Sequence, residues 1–401
     1  MKILSSHEMR ALDEYNIKSR GMASIDLMEN ASKAVAGELV ALLPSFEIKV
    51  VVFAGPGNNG GDGLAIARIV ADKGYMVEVF LFNTKNNLSD DCLSNKERLK
   101  ECKNVSLHEI TSQFDFPNLS NDDVIVDALF GTGLNRPLMG GYRQLVEFIN
   151  NCKNKVVSVD IPSGMLDIAK AMTEGEESVS VKADYTFTFH CLKPAMLLAD
   201  NQEALGNLKV LDIGLDDSNI NFSKTHFGTT ETDDARLLLK KRDTFGHKGT
   251  FGYGLLVAGS SGMAGASFLA GKAAYRSGVG KLTIHTGAIN VPIVQTILPE
   301  AVVSADANLN YVTSIEKKQY SAVGIGPGLG CSVETEEALF DFIKQGDLKL
   351  VIDADGLNIL SKHYNWAKFL PKDTILTPHP GEWERMIGKH ADSTTQLRLA
   401  M

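Results

Sequence analysis

The sequence predicts an α/β protein built from two doubly wound domains, and three observations lead there. The chain has 401 residues, more than one compact core ordinarily holds. Short apolar runs alternate with helical patterns along most of it. Glycines and acids cluster just after those runs, where the carboxyl ends of parallel strands present their loops.

Composition narrows the function classes. Hydrophobic residues make up 44% and charged residues 22%, which fits a soluble chain with ample core. A formal net charge of -9 argues against nucleic acid or an anionic membrane as partner. Cys92, Cys102, Cys152, Cys191 and Cys331 are scattered without a C-x-x-C pair, as expected of reduced thiols. The start lacks the basic-then-apolar layout of a signal peptide, and no apolar run is long enough to span a bilayer. A cytoplasmic protein is expected.

Ser5-Ser6-His7-Glu8 has the form of a capping box and opens a helix with Met9, Leu12 and Ile17 on its apolar side. A second helix from about Ser24 carries Leu27, Met28, Ala31, Ala34, Val35 and Leu39 at helical spacing and stops before Pro44. Both are expected to pack on the sheet or on a partner subunit, with Glu29 and Asn30 as positions that could face a ligand. Lys49 to Phe53 reads as a buried parallel strand. The turn Ala54-Gly55-Pro56-Gly57-Asn58-Asn59-Gly60-Gly61-Asp62-Gly63 follows, and Leu64 to Ala71 reads as a helix with one apolar face. Glycine in such a turn lets backbone approach a ligand, and the helix start offers free amide donors. Gly55, Gly57 and Gly60 have dinucleotide-fingerprint spacing. The next strand, Val77 to Phe82, however, ends at Asn83 with no acid for a ribose, which argues against a Rossmann oxidoreductase. Asn58, Asn59 and Asp62 offer oxygens suited to a hard cation such as an alkali metal or magnesium.

Asp90 to Cys102 reads as a polar helix. Asp122 to Asp127 is a strand opening into a loop that runs to Pro137, and Tyr142 to Asn150 is helical. The strand from Val156 ends in Asp160-Ile161-Pro162-Ser163-Gly164, and Tyr185 to His190 is a strand leading to Lys193-Pro194. Asn59 and Asp62, Asp127, and Asp160 with Ser163 thus stand at successive strand ends. Such ends share one edge of a parallel sheet, so these groups can converge on one site.

These three turns, in this order, resemble the epimerase domain of bifunctional NAD(P)H-hydrate repair enzymes, over nearly all of the chain up to about Leu215. The resemblance implies a Rossmann-like three-layer sandwich that interconverts the R and S epimers of NADHX and NADPHX, the hydrated forms of NADH and NADPH. It implies a potassium ion held by Asn59, Asp127 and Ser163. It implies Asn58, Asn59, Gly60, Gly61 and Asp62 as contacts to the hydrate. Gly131, Thr132, Gly133, Leu134, Asn135, Arg136 and Pro137 are implied as further contacts, together with Asp160. Family members are usually oligomeric, which implies a homo-oligomer. Epimerising a ring carbon that bears a hydroxyl needs proton transfer at oxygen and room for a planar or ring-opened intermediate. A carboxylate near that hydroxyl can be the general base. Asp160 is assigned the role, with Asp62 second, since Asp127 would be occupied by the cation.

Between Ile213 and about Glu231 polar residues displace the apolar periodicity, so the domains are expected at 1–220 and 221–401. The second half repeats the pattern. A strand from Gly254 to Ala258 leads through the turn Gly259 to Ala266 into an Ala-rich helix, Ser267 to Arg276, and then the strand Leu282 to His285. Later strands end at Gly324 to Gly330, Asp353 to Gly356 and Thr377 to Glu382. Lys248 to Gly265, Gly326 to Gly330 and His379 to Glu382 resemble the ribokinase-like dehydratase half of the same enzymes. The resemblance implies dehydration of S-NAD(P)HX to NAD(P)H using ADP or ATP with magnesium, and Ala266, Gly328 and His379 as hydrate-binding. His379 before Pro380 and Gly381 also suits a structural turn. The family's nucleotide segment and its catalytic Gly-Asp lie beyond His379 and find no counterpart before Met401. The dehydratase half is therefore expected to lack its C-terminal part and its turnover. Two other readings stay open, a non-catalytic nicotinamide-nucleotide-binding module and a ribokinase-like small-molecule kinase.

Overall fold

The computed structural model describes residues 3–166, 179–216, 227–239, 241–316, 318–344, 346, 348–390 and 392–400. It forms two compact units, Met1–Leu238 with Asp392–Leu397, and Leu239–Ala391 with Arg398–Met401. The boundary expected at 220/221 lies outside the described residues.

In the first unit, α1 (Ser6–Arg20) begins at a capping box in which Ser5 and Glu8 each bond the other's backbone amide. It ends at Gly21, whose φ of +67° suits glycine. Then come α2 (Ser24–Ala41), β1 (Val50–Ala54), α3 (Asn58–Asp72), β2 (Val77–Phe82), α4 (Asp90–Leu99) and β3 (Val105–Ile110). The chain continues through β4 (Val124–Ala128), α5 (Gly140–Asn151), β5 (Lys155–Val159), β6 (Tyr185–Phe189), α6 (Gln202–Leu205), β7 (Asn207–Leu211) and α7 (Thr232–Leu238). All strands pair in parallel, in the order β3-β2-β1-β4-β5-β6-β7.

Strand β1 shows why this sequence makes a doubly covered sheet. Val50, Val52 and Ala54 belong to one core cluster, with Leu27, Val35 and Leu39 of α2 and Leu64 and Val70 of α3. Val51 and Phe53 point the other way, into a cluster with Leu145, Val146 and Ile149 of α5. A strand covered on both faces must be apolar throughout, as this one is. Helix α3 corrects the expectation of a single apolar face. It is buried from Asn59 through Ala67 and again at Val70 and Ala71, because α2, α4 and the sheet enclose it. The order reverses between β1 and β4, so the crevice for a ligand lies at their carboxyl ends.

The second unit contains β8 (Tyr253–Val257), α8 (Ala264–Arg276), β9 (Lys281–Thr286), α9 (Val291–Ile297), β10 (Val302–Ala305) and β11 (Ala322–Ile325). The last described helix, α13 (Ser393–Ala400), starts in the first unit's segment Asp392–Leu397, while the second unit continues with α10 (Val333–Ile343), β12 (Leu350–Ile352), α11 (Asp355–Lys362), β13 (Ile375–Leu376) and α12 (Pro380–Ile387). Its sheet is again parallel, in the order β10-β9-β8-β11-β12-β13, with the reversal between β8 and β11. Among the described residues no helix is long and apolar enough to cross a membrane.

Candidate functional site

The turn between β1 and α3 is glycine-rich because the backbone is crowded there, and the crowding comes from the protein's own chain. A Cβ on Gly55 would stand 1.9 Å from the Leu129 carbonyl oxygen, and one on Gly60 would stand 1.7 Å from the Gly55 oxygen. On Gly63 it would meet the Ala128 Cβ at 2.6 Å. These contacts draw the start of α3 against the end of β4, where Gly55 N donates to Ala128 O at 3.0 Å. Gly57, by contrast, has open space around it. So Gly55 and Gly63 bring this turn against the end of β4, Gly60 closes the turn on itself, and Gly57 is the glycine of this turn that leaves room for something else.

Asp127, at the end of β4, is fully buried and wholly engaged. Its Oδ1 accepts from Ser163 Oγ at 2.5 Å and Leu129 N at 3.3 Å, and its Oδ2 from Ser158 Oγ and Ser163 N, both at 2.8 Å. Burial pushes this carboxyl up, against the pull of those hydrogen bonds. Phe130 N donates to Ser163 Oγ at 2.9 Å, and the next residue, Gly131, packs closely against Asn59. A Cβ there would lie 3.2 Å from Asn59 Oδ1. Asn59 is itself buried, and its Nδ2 has no hydrogen-bond partner. The structure thus gathers Asn59, Asp127 and Ser163 around the Phe130–Gly131 backbone. An amide carbonyl, a carboxylate and a hydroxyl are hard oxygen donors of the kind an alkali metal takes, while the unsatisfied Asn59 Nδ2 is an N–H donor that calls for an acceptor the described residues do not supply.

Asp160, at the end of β5, has a φ of +64°, a left-handed conformation that aspartate tolerates better than most residues. Its Oδ1 accepts from Lys193 Nζ at 2.6 Å, Thr188 Oγ1 at 3.2 Å and Phe189 N at 3.4 Å. Lys193 is buried, 3% exposed, and also donates to Thr188 Oγ1 at 2.6 Å and Phe189 O at 3.0 Å. Asp160 and Lys193 line a cavity of about 320 Å³ together with Asn58, Asp62, Thr132 and Phe189. Helix α1 forms another wall with Met9, Arg10, Asp13, Glu14 and Ile17, and Asp91 lies at the start of α4. Burial pushes the Asp62 carboxyl well above the usual range, and the charges of Asp160, Asp13 and Asp91 add to that. Asp13 is pushed up to about 6, chiefly by burial and then by Asp160, with Lys193 opposing.

Of the positions singled out in the sequence, Asn58, Asp62, Thr132 and Asp160 meet at this cavity. Asn59, Asp127 and Ser163 form the neighbouring oxygen cluster. Gly60 and Gly61 pack into the protein, Gly61 against the Met28 sulfur. Gly131 and Gly133 flank Thr132, a Cβ on Gly133 falling 3.4 Å from Arg10 Nη2. Leu134 and Pro137 are half-buried, and Asn135 and Arg136 lie exposed at the loop's far end. Glu29 does not reach the cavity, because it pairs with Arg68 at 2.5 Å and with Lys33 at 3.6 Å. Helix α1 was expected only to pack, yet it brings Asp13 to the site. The sequence does hold a signal, since Asp13 lies four residues after Met9 and therefore on the helix's apolar face. Lys193 has no comparable local signal.

In the second unit, the turns after β8 and β11 interlock across the reversal. Gly259 N donates to Pro327 O at 3.0 Å and Ser260 N to Gly328 O at 2.6 Å. Gly328 has a φ of +60°, and a Cβ on it would stand 2.9 Å from the Ala266 Cβ, so these two expected hydrate contacts are neighbours. His379 follows β13 at the same sheet edge and caps α12. Its Nδ1 accepts from Gly381 N at 3.0 Å while Glu382 bonds the His379 amide, leaving the ring largely exposed.

Residues 24–195 match the family described as YjeF-related protein N-terminus, and residues 254–400 match NAD(P)H-hydrate dehydratase. The bifunctional NAD(P)H-hydrate repair enzyme Nnr of Thermofilum pendens is 34% identical over 414 residues, covering 100% of this chain and 76% of its own length. The enzyme of the same name from Coxiella burnetii is 33% identical over 390 residues, covering 96% of this chain and 76% of its own. Among solved structures, yeast ynu0 is 25% identical and covers 58% of this chain and 98% of its own, with a TM-score of 0.45. The ADP/ATP-dependent NAD(P)H-hydrate dehydratase of Bacillus subtilis, co-crystallised with ATP and magnesium, is 34% identical over 40% of this chain and 55% of its own, with a TM-score of 0.33. The two units have the Rossmann-like and ribokinase-like folds expected of such domains. The chain belongs to the family of bifunctional NAD(P)H-hydrate repair enzymes.

Proposed function

We propose that the first unit epimerises the R and S forms of NADHX and NADPHX, with Asp160 as general base. The observation that carries this is the cavity at the β1/β4 reversal, whose wall combines Asp160, Asp62, Asn58 and Thr132. The hydrate's hydroxyl sits on a carbon bonded to the ring nitrogen, so one proton transfer can open the ring. The hydroxyl proton passes to Asp160, the O–H electrons form a carbonyl as the C–N bond breaks, and the nitrogen takes a proton from a carboxylic acid. Asp62 suits that second role because its surroundings favour the protonated form. Rotation about the adjacent C–C bond and the reverse steps close the ring on the other face.

The oxygen set of Asn59, Asp127 and Ser163 fits a potassium ion. Positive charge beside Asp127 would offset the burial that pushes its carboxyl up, and the ion would hold the hydrate-side loops in place. The second unit is of the dehydratase type, and Ala266, Gly328 and His379 are its proposed hydrate contacts. ADP or ATP belongs to that reaction. Among the described residues no cluster of three or more acidic, histidine or cysteine side chains could hold a metal, so magnesium would arrive with the nucleotide. A cytoplasmic homo-oligomer is the setting that fits this work.

The test is chromatographic separation of R- and S-NADHX after incubation with the full chain and potassium. Exchange is expected without nucleotide, and Asp160→Asn should slow it by about 10²–10⁴-fold. Full exchange by that variant removes Asp160 from the mechanism.

A further inference from the structure

We propose that Lys193 is a positioning residue of the epimerase reaction, clamping Asp160 through Oδ1 so that Oδ2 is the oxygen offered to the hydrate. The inference rests on the reading of Asp160 as base. An ammonium has three hydrogens, and Lys193 has three acceptors within 3.0 Å: Asp160 Oδ1, Thr188 Oγ1 and Phe189 O. No donor is left over for substrate, so Lys193 acts through its neighbours although it lines the cavity. On Asp160 the bonding is one-sided. Oδ1 takes all three donors, Lys193, Thr188 and Phe189 N, and Oδ2 takes none among the described residues.

The clamp also explains how the left-handed turn at Asp160 holds its shape. The turn is tied at both ends, by Asp160 N donating to Phe187 O at 2.8 Å and by the lysine that bridges the side chain back to the Phe189 carbonyl. Five charged or acidic groups besides Lys193 line the cavity with Asp160: Arg10, Asp13 and Glu14 from α1, Asp62 from α3 and Asp91 from α4. Lys193 is the one whose contact with Asp160 is direct, and the other acids are left to share protons.

The experiment measures kcat and KM for epimer exchange with the full chain, in saturating potassium, for Lys193→Met, Asp160→Asn and the double variant. Lys193→Met is expected to lower kcat by roughly 10²-fold, the cost of misplacing a reacting group by about an ångström, with KM nearly unchanged. The double variant should be no slower than Asp160→Asn alone, because a residue that acts through Asp160 has nothing to position once the base is gone. It also carries no unpaired buried charge, so its melting curve separates misfolding from lost positioning. Added ethylammonium should restore part of the rate of Lys193→Ala and none of that of Asp160→Asn. Wild-type kcat in Lys193→Met, or a double variant slower than Asp160→Asn by the full lysine effect, overturns the proposal. Wild-type exchange in Asp160→Asn overturns instead the assignment of the base.

Discussion

Replacing Gly60 by alanine tests whether the glycines of the first turn serve internal packing. The new Cβ would stand 1.7 Å from the Gly55 oxygen and 2.6 Å from the Gly55 carbon, both backbone atoms that no rotamer change can move. Real contacts of this kind stop near 3.0 Å, so the start of α3 must retreat by about 1.3 Å. Helix α3 is buried along most of its length between α2, α4 and the sheet, so it cannot retreat without opening those contacts. Overpacking against such a frame costs ~3 kcal/mol or more. For a unit of this size, that lowers the melting temperature by roughly 6–12 °C. Exchange should fall further, since Asn58 and Asp62 ride on the displaced turn and an ångström at a reacting group costs about 10²-fold. Gly57→Ala is the control, because Gly57 has an extended backbone and nothing within 4 Å. It should melt within about 1 kcal/mol of the wild type. The assay is a thermal melt of both variants beside the exchange assay. A Gly60→Ala protein that melts with the wild type would refute the packing account of this turn.

Two further outcomes follow from the buried acids. Asp127→Ala strands the amides of Leu129 and Ser163, since the serine hydroxyls can turn elsewhere but backbone cannot. Two unsatisfied buried donors cost roughly 2–6 kcal/mol, read as a lower denaturation midpoint with unchanged slope, and a shift below about 0.5 kcal/mol would contradict it. Asp13 has a folded pKa of about 6, above its ordinary 3.8, so the folded state binds more protons and stability falls as pH rises through that window. Asp13→Asn should therefore melt higher than the wild type at pH 8, by up to roughly 3 kcal/mol, and the gain should vanish below about pH 4. A gain that persists in acid would show that ionisation is not its cause.

The strand-end turns were legible in the sequence because their chemistry is contiguous. Asn58 to Asp62, Asp127 to Pro137 and Asp160 to Ser163 each follow an apolar run that both sheet faces require, so position and composition agree. Strands β3 and β7 were less legible for the opposite reason. They are edge strands, where Val105, Leu107 and Val210 alternate with Ser106, His108 and Lys209, and alternation of this kind lacks the continuous apolar signal of β1. The packing of Gly55 and Gly60 was not legible, because a glycine-rich turn looks the same whether it faces a ligand or the protein's own backbone. Lys193 was invisible in any local sense, since its meaning comes from Asp160, 33 residues earlier, through the pairing of β5 with β6.

Three carboxyls near one sheet edge would be hard to tell apart by type or spacing, and their partners separate them. Asp127 accepts from four neutral donors, two on each oxygen, and among the described residues no cation pairs with it. A counter-ion from outside would offset the burial that pushes this carboxyl up, and that is the ground for proposing potassium at the oxygen cluster with Asn59. Asp160 has its own buried cation and one oxygen spare, the arrangement a base requires. Asp62 is as buried and faces the charges of Asp160, Asp13 and Asp91, with a serine hydroxyl as its main opposing influence, so its carboxyl is pushed well above the usual range. On the proposed reading, one residue type, placed by one topological rule, is divided into ligand, base and acid by its immediate neighbours. The neighbours therefore carry the distinction. A variant that deprives Asp160 of Lys193 should keep its carboxylate but lose the hold on Oδ1, so its lower kcat reports lost positioning.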